Sequence, residues 1–156
     1  MQKIKILING EWKSGWARPG QTLLDFLQKE LFHTEVKRGC ERGDCGACTV
    51  IMNDTAVDSC LILALQANGA TITTARGLGT PDNMHPLQKA FAEKGAIQCG
   101  FCTPGMILAA QALLNRNQNP SREEIKRGLS GNLCRCTGYE QIIDAVERAA
   151  KQLSGV

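Results

Sequence analysis

Residues 3–8, KIKILI, alternate polar and apolar side chains at a period of two, the signature of a half-buried strand. Asn9-Gly10 follows and then EWKSGW, so the first segment predicts a β-hairpin closed by a type I′ turn, whose positive φ angles Asn-Gly supplies. From Thr22 the period lengthens: TLLDFLQKELF has helical spacing, with Thr22 as N-cap and Asp25 at N3. A glycine-rich loop spans Gly39–Cys48, and TVIMN and ATITTA then read as short strands. This order predicts a small α+β sheet domain over residues 1–75. Residues 76–84, RGLGTPDNM, cluster Gly, Pro, Asp and Asn and predict a linker.

Beyond residue 84 the pattern is helical. It predicts four helices, at about 86–94, 104–116, 122–128 and 138–153. Ser121 with Glu124, and Thr137 with Glu140, have the spacing of capping boxes. Thr103 is the N-cap candidate of the second helix, with Pro104 at N1. That helix is apolar nearly all round and is expected at the centre, whereas the last one carries a single apolar stripe from Tyr139 to Leu153. Four helices with short connections predict a small all-α four-helix bundle over residues 85–156.

Composition adds a difficulty. The 156 residues are only 4% aromatic, and two domains of about 75 residues each bury a modest core that needs staples. Eight cysteines are the candidates. Disulfides suit small secreted domains, but MQKIKILINGEWKSG lacks the apolar run of a signal peptide. The most apolar stretch, GMILAAQALL, is too short to span a membrane. The expectation is a cytoplasmic protein with reduced, metal-binding thiols and no membrane insertion. Its 18 basic and 15 acidic residues are dispersed, which does not suggest a nucleic-acid partner.

The cysteines fall into two quartets. Cys40, Cys45, Cys48 and Cys60 have the spacing C-x4-C-x2-C-x11-C, whose core is the plant-type ferredoxin spacing for a 2Fe–2S cluster. Gly39, Gly43 and Gly46 let such a loop curl and turn its N–H groups towards sulfur. Zinc is the competing metal, since four thiolates suit it too. Cys99 and Cys102 stand in QCGFCTPGM, and Cys134 and Cys136 follow in NLCRCTGY after a gap of 31 residues. Each pair ends in Cys-Thr and runs into a helix, so a cluster there meets two positive helix ends. This placement is expected to favour its reduced form. Alone, the second quartet fits zinc or a 4Fe–4S cluster as well; a redox neighbour favours a second redox centre. His33 and His85 lie away from both quartets, Trp12 and Trp16 read as sheet-packing or partner-facing residues, and Arg135 lies between two ligands.

Taken together, GCERGDCGACTV, QCGFCTPG and GNLCRCTGY, in that order, resemble the iron–sulfur subunit of the xanthine oxidase (molybdenum hydroxylase) family, along nearly the whole chain. The resemblance implies an N-terminal β-grasp, plant-type ferredoxin-like domain and a C-terminal four-helix domain, each holding a 2Fe–2S cluster. It implies a large partner subunit carrying a molybdopterin cofactor, in its plain or cytosine dinucleotide form. It further implies a flavin subunit with FAD and a hetero-oligomer such as a dimer of heterotrimers. Electrons would pass from molybdenum through the cluster of Cys99, Cys102, Cys134 and Cys136, then that of Cys40, Cys45, Cys48 and Cys60, then to flavin or another acceptor. Gln98 and Cys136 would contact the pterin. No residue reads as a nucleophile or general base with a pocket, so no catalytic centre is expected in this chain. A free-standing two-cluster ferredoxin and a zinc-stabilised adaptor are the competing readings.

Overall fold

The computed structural model describes residues 1–155. Strands β1 (Gln2–Ile8) and β2 (Glu11–Ala17) form the expected hairpin in the register Gln2↔Ala17 to Ile8↔Glu11. Its turn has φ of 50° at Asn9 and 84° at Gly10, the double left-handed geometry that Asn-Gly permits. Strands β3 (Thr49–Met52), β4 (Thr55–Asp58) and β5 (Thr71–Thr73) complete one five-stranded sheet in the order β2-β1-β5-β3-β4. Among the described residues only the β1–β5 pair is parallel. The short β4 was not expected; it folds back through Asn53 and Asp54, both at positive φ.

Alternation along β1 puts Ile4, Ile6 and Ile8 into the core and leaves Lys3 and Lys5 outside. Helix α1 (Leu23–Asp25) continues as a π-helical turn, Phe26–Glu30, and lays Leu23, Leu24, Phe26 and Leu27 on the sheet. Thr22 caps it, accepting from Asp25 N at 3.1 Å. Gly15 on β2 stands where a Cβ would come within 2.9 Å of the Phe26 ring, so the helix presses on bare backbone. Trp12 and Trp16 are exposed on the opposite face, with Lys5 Nζ 4.6 Å from the Trp12 ring centroid.

The predicted linker is partly ordered into helix α2 (Ala75–Leu78) and a tight turn in which Thr80 and Asn83 exchange backbone hydrogen bonds. His85 ends it as the N-cap of α3 (Pro86–Glu93): its Nδ1 accepts from Leu87 N, and Gln88 Oε1 accepts from His85 N. Helices α4 (Thr103–Arg116), α5 (Arg122–Gly128) and α6 (Glu140–Ser154) follow. Helix α3 packs on α6, α5 on α6, and α4 on both α3 and α5. The Ser121–Glu124 capping box forms as its spacing predicts.

Two expected caps differ. Helix α4 begins at Thr103, one residue early, so Cys102 holds the N-cap position and Pro104 the second helical one. Helix α6 begins at Glu140, because Gly138 and Tyr139 both take left-handed backbone and interrupt the path from Thr137. Thr137 therefore caps nothing, and its hydroxyl is used elsewhere.

Helix α4 is central for a physical reason. Met106, Ala110 and Leu114 join the helical core with Phe91, Ile142 and Val146, while Leu108 and Ala112 pack against Ile51 of β3. Its all-round apolarity serves two neighbours at once, and it carries the join between sheet and helices.

Candidate metal centres and their family

The first quartet lies on the loop between the π turn and β3, with Cys60 beyond β4. Arg38 anchors the start of the loop by ion pairs to Asp25 and Glu41 and a 3.2 Å bond to Gln28 Oε1. The loop then turns its amides onto sulfur. Arg42 N, Asp44 N and Cys45 N donate to Cys40 Sγ at 3.3–3.4 Å, and Cys40 N and Ala47 N donate to Cys45 Sγ at 3.3 and 3.5 Å. These amides, led by that of Arg42, bring the Cys40 thiol down to about 7. Cys48 and Cys60 are buried side by side, and burial pushes the Cys48 thiol up to about 12. Glycine is required twice here: a Cβ at Gly39 would stand 2.6 Å from Cys45 Sγ, and Gly43 has φ of 81°.

The second quartet is assembled by the loop before α4 and the loop between α5 and α6. Cys99 and Cys136 approach to 3.6 Å between sulfurs, well beyond a disulfide bond, and Cys102 lies against Cys134. Burial, then Cys134 and Cys99, drive the Cys102 thiol up to about 12. Burial acts upward on Cys134 as well, but the hydroxyl and amide of Thr137 outweigh it and lower that thiol. Cys99 and Cys136 are exposed, as are Gln98 and Arg135 beside them. Ile97, Phe101 and Leu133 add exposed apolar side chains to the same rim.

Sequence reasoning grouped the cysteines by spacing but missed the contacts that join their loops. Leu133 N donates to the Cys45 carbonyl at 2.9 Å, and the buried Asn132 donates from Nδ2 to Gly46 O at 3.0 Å and Thr49 Oγ1 at 3.1 Å. Gly46 has φ of 68°, and a Cβ there would stand 2.5 Å from Gly131 O; a Cβ at Gly105 would fall on Gly46 O. The two cysteine loops thus clasp each other through backbone. Glycines flanking both motifs, and an Asn two residues before Cys134, were the available signal.

The donor sets fit anionic iron–sulfur clusters. All eight cysteines are unbonded thiols, and each quartet already receives amide hydrogen bonds suited to thiolate. Thr103 Oγ1, next to Cys102, is buried without a hydrogen-bond partner among the described residues and can serve a polar group there. When bound, a 2Fe–2S cluster supplies a one-electron carrier.

Comparison with known proteins agrees with this chemistry. The family described as "2Fe-2S iron-sulfur cluster binding domain" matches residues 6–73, and "2Fe-2S binding domain" matches residues 74–147. The chain is 49% identical to the nicotinate dehydrogenase small FeS subunit of Eubacterium barkeri, covering 96% of this chain and 95% of that one. It is 46% identical to the xanthine dehydrogenase iron-sulfur-binding subunit of Escherichia coli, over 92% and 91%. The solved aldehyde oxidoreductase of Desulfovibrio desulfuricans superposes with a TM-score of 0.96 at 45% identity; there the match covers 99% of this chain but 17% of the other. With two 2Fe–2S domains and relatives matched along their length, the chain belongs to the electron-transferring iron–sulfur subunits of the xanthine oxidase family of molybdenum hydroxylases.

Proposed function

We propose that Cys40, Cys45, Cys48 and Cys60 hold one 2Fe–2S cluster, and Cys99, Cys102, Cys134 and Cys136 the other. In this reading residues 1–75 form the ferredoxin-like domain, 76–84 the linker, and 85–156 a four-helix bundle, residue 156 lying outside the described residues. The clasp between the loops carries the proposal. Leu133–Cys45 and Asn132–Gly46 fix one ligand loop on the other by directional bonds with no flexible segment between, so the separation of the two centres is set by backbone. A relay needs that rigidity, because transfer between carriers depends on a fixed path; two independent structural ions do not.

The rim around the second quartet supports its placement towards a partner. Gln98, Cys99 and Cys136 are exposed among Ile97, Phe101 and Leu133, a set that gains from being covered. The proposed cover is a large subunit with a molybdopterin cofactor, Gln98 and Cys136 meeting its pterin. A flavin subunit with FAD is the proposed acceptor for the first centre, in a cytoplasmic hetero-oligomer. A free-standing carrier would gain nothing from this apolar rim. Native purification of the full chain followed by metal analysis tests the proposal. Association with a larger, molybdenum-containing chain is expected, and a solitary chain with its clusters would refute it.

A further inference from the structure

Cys134 sits inside a closed circuit of hydrogen bonds. Thr137 Oγ1 lies 3.1 Å from Cys134 Sγ, and Thr137 N donates to the same sulfur at 3.4 Å. Tyr139 N donates to Thr137 Oγ1 at 3.2 Å, and Tyr139 Oη accepts from Cys134 N at 3.0 Å. The circuit is held at a cost. Tyr139 has φ of 73°, a left-handed backbone that a bulky side chain adopts at about 1–3 kcal/mol. Thr137 itself is buried.

The direction of the Thr137–Cys134 bond follows from counting hydrogens. The threonine hydroxyl has one, and its oxygen already accepts from Tyr139 N. A cysteine sulfur bound to iron is a thiolate and can only accept. The hydroxyl hydrogen therefore goes to sulfur.

We propose that Thr137 is a positioning residue that tunes the second centre: its hydroxyl, oriented by the Tyr139 amide, donates to the Cys134 thiolate and favours the reduced state. The inference rests on the cluster assignment above. Reduction adds one negative charge without breaking a bond or moving a proton, and a donor at a ligand sulfur stabilises the more negative state more. The matching Thr103 after Cys102 does not repeat the arrangement, for its hydroxyl has no partner among the described residues. The tuning thus lies on one side of the quartet. It also replaces helix capping as the way Thr137 acts.

The test is a potentiometric titration of the full chain, followed by electron paramagnetic resonance, for the unsubstituted protein, Thr137→Ser and Thr137→Val. Valine is expected to lower the midpoint of the second centre by at least tenfold in its one-electron equilibrium, about 59 mV. Serine is expected to match the unsubstituted chain, and the first centre should not move in either variant. An unchanged or raised midpoint in Thr137→Val overturns the inference while leaving both clusters in place. If valine does not retain the second centre, Thr137→Ala, which also lacks the hydroxyl, decides: a tenfold lowering of the midpoint supports the inference and an unchanged or raised midpoint overturns it. Absence of a second reducible centre in the unsubstituted chain would overturn the cluster assignment and this inference together.

Discussion

Asn132 Nδ2 donates at 3.0 Å to the carbonyl of Gly46, 86 positions away in sequence, in a site closed to solvent. One amide thereby ties the loop of the second quartet to that of the first, with Thr49 Oγ1 as its other acceptor. Removing it takes one of three donors from the Gly46 carbonyl, which keeps the amide and hydroxyl of Thr49, and leaves the buried Thr49 Oγ1 without the amide it accepts from. Asn132→Ala is expected to destabilise the chain by about 2 kcal/mol, and Asn132→Asp by at least as much, since it sets a carboxylate against a carbonyl oxygen. Urea unfolding of the full chain measures both. A loss under about 0.5 kcal/mol for either would show that the clasp is slack.

Gly105 reverses an ordinary rule. Alanine in a helix interior is favoured over glycine by about 1 kcal/mol. Here Gly105 lies in the first turn of α4 against Gly46 O, where an added methyl has no room. Gly105→Ala is expected to destabilise by about 1–3 kcal/mol through forced separation of the loops. Thermal unfolding gives the sign, and a raised midpoint would contradict the close backbone contact.

Glu35 gives the pH dependence. It accepts from the buried Thr74 hydroxyl at 2.7 Å, pairs with His33 Nδ1 at 2.8 Å and lies 3.6 Å from Arg76. Burial acts to raise its carboxyl, but the bonds from His33 and Thr74 prevail and bring it from 4.5 to about 2. A carboxylate lowered in the folded state adds stability above its unfolded value, and loses it as pH falls from about 4.5 to about 2. The contribution is about 2–3 kcal/mol at neutral pH. Glu35→Gln should therefore cost stability at neutral pH and progressively less as pH falls below about 4.5. Denaturation of both proteins across that range checks this, and a gap that widens on acidification would reverse the sign.

Much of this arrangement was legible in sequence where the signal is local. Asn9-Gly10 fixed the first hairpin, Ser121 with Glu124 the start of α5, and both cysteine spacings were visible without structure. The misreadings arose where backbone overrode pattern. Thr137 and Glu140 have capping-box spacing, yet Gly138 and Tyr139 turn left-handed between them, and Tyr139 Oη accepts from Cys134 N instead. Strand β4 escaped notice because four residues, two of them exposed, carry too few alternations to register. Asn132, Tyr139, Glu35 and Thr74 act through partners far away in sequence or in unusual backbone, and neither leaves a periodic mark.

The central claim is that each quartet holds its own two-iron centre. Dithionite-reduced full chain should show two distinct paramagnetic signals and about four irons. Cys60→Ser should abolish or displace one signal, and Cys134→Ser the other. A single signal, or one substitution altering both alike while the second alters neither, would contradict the account.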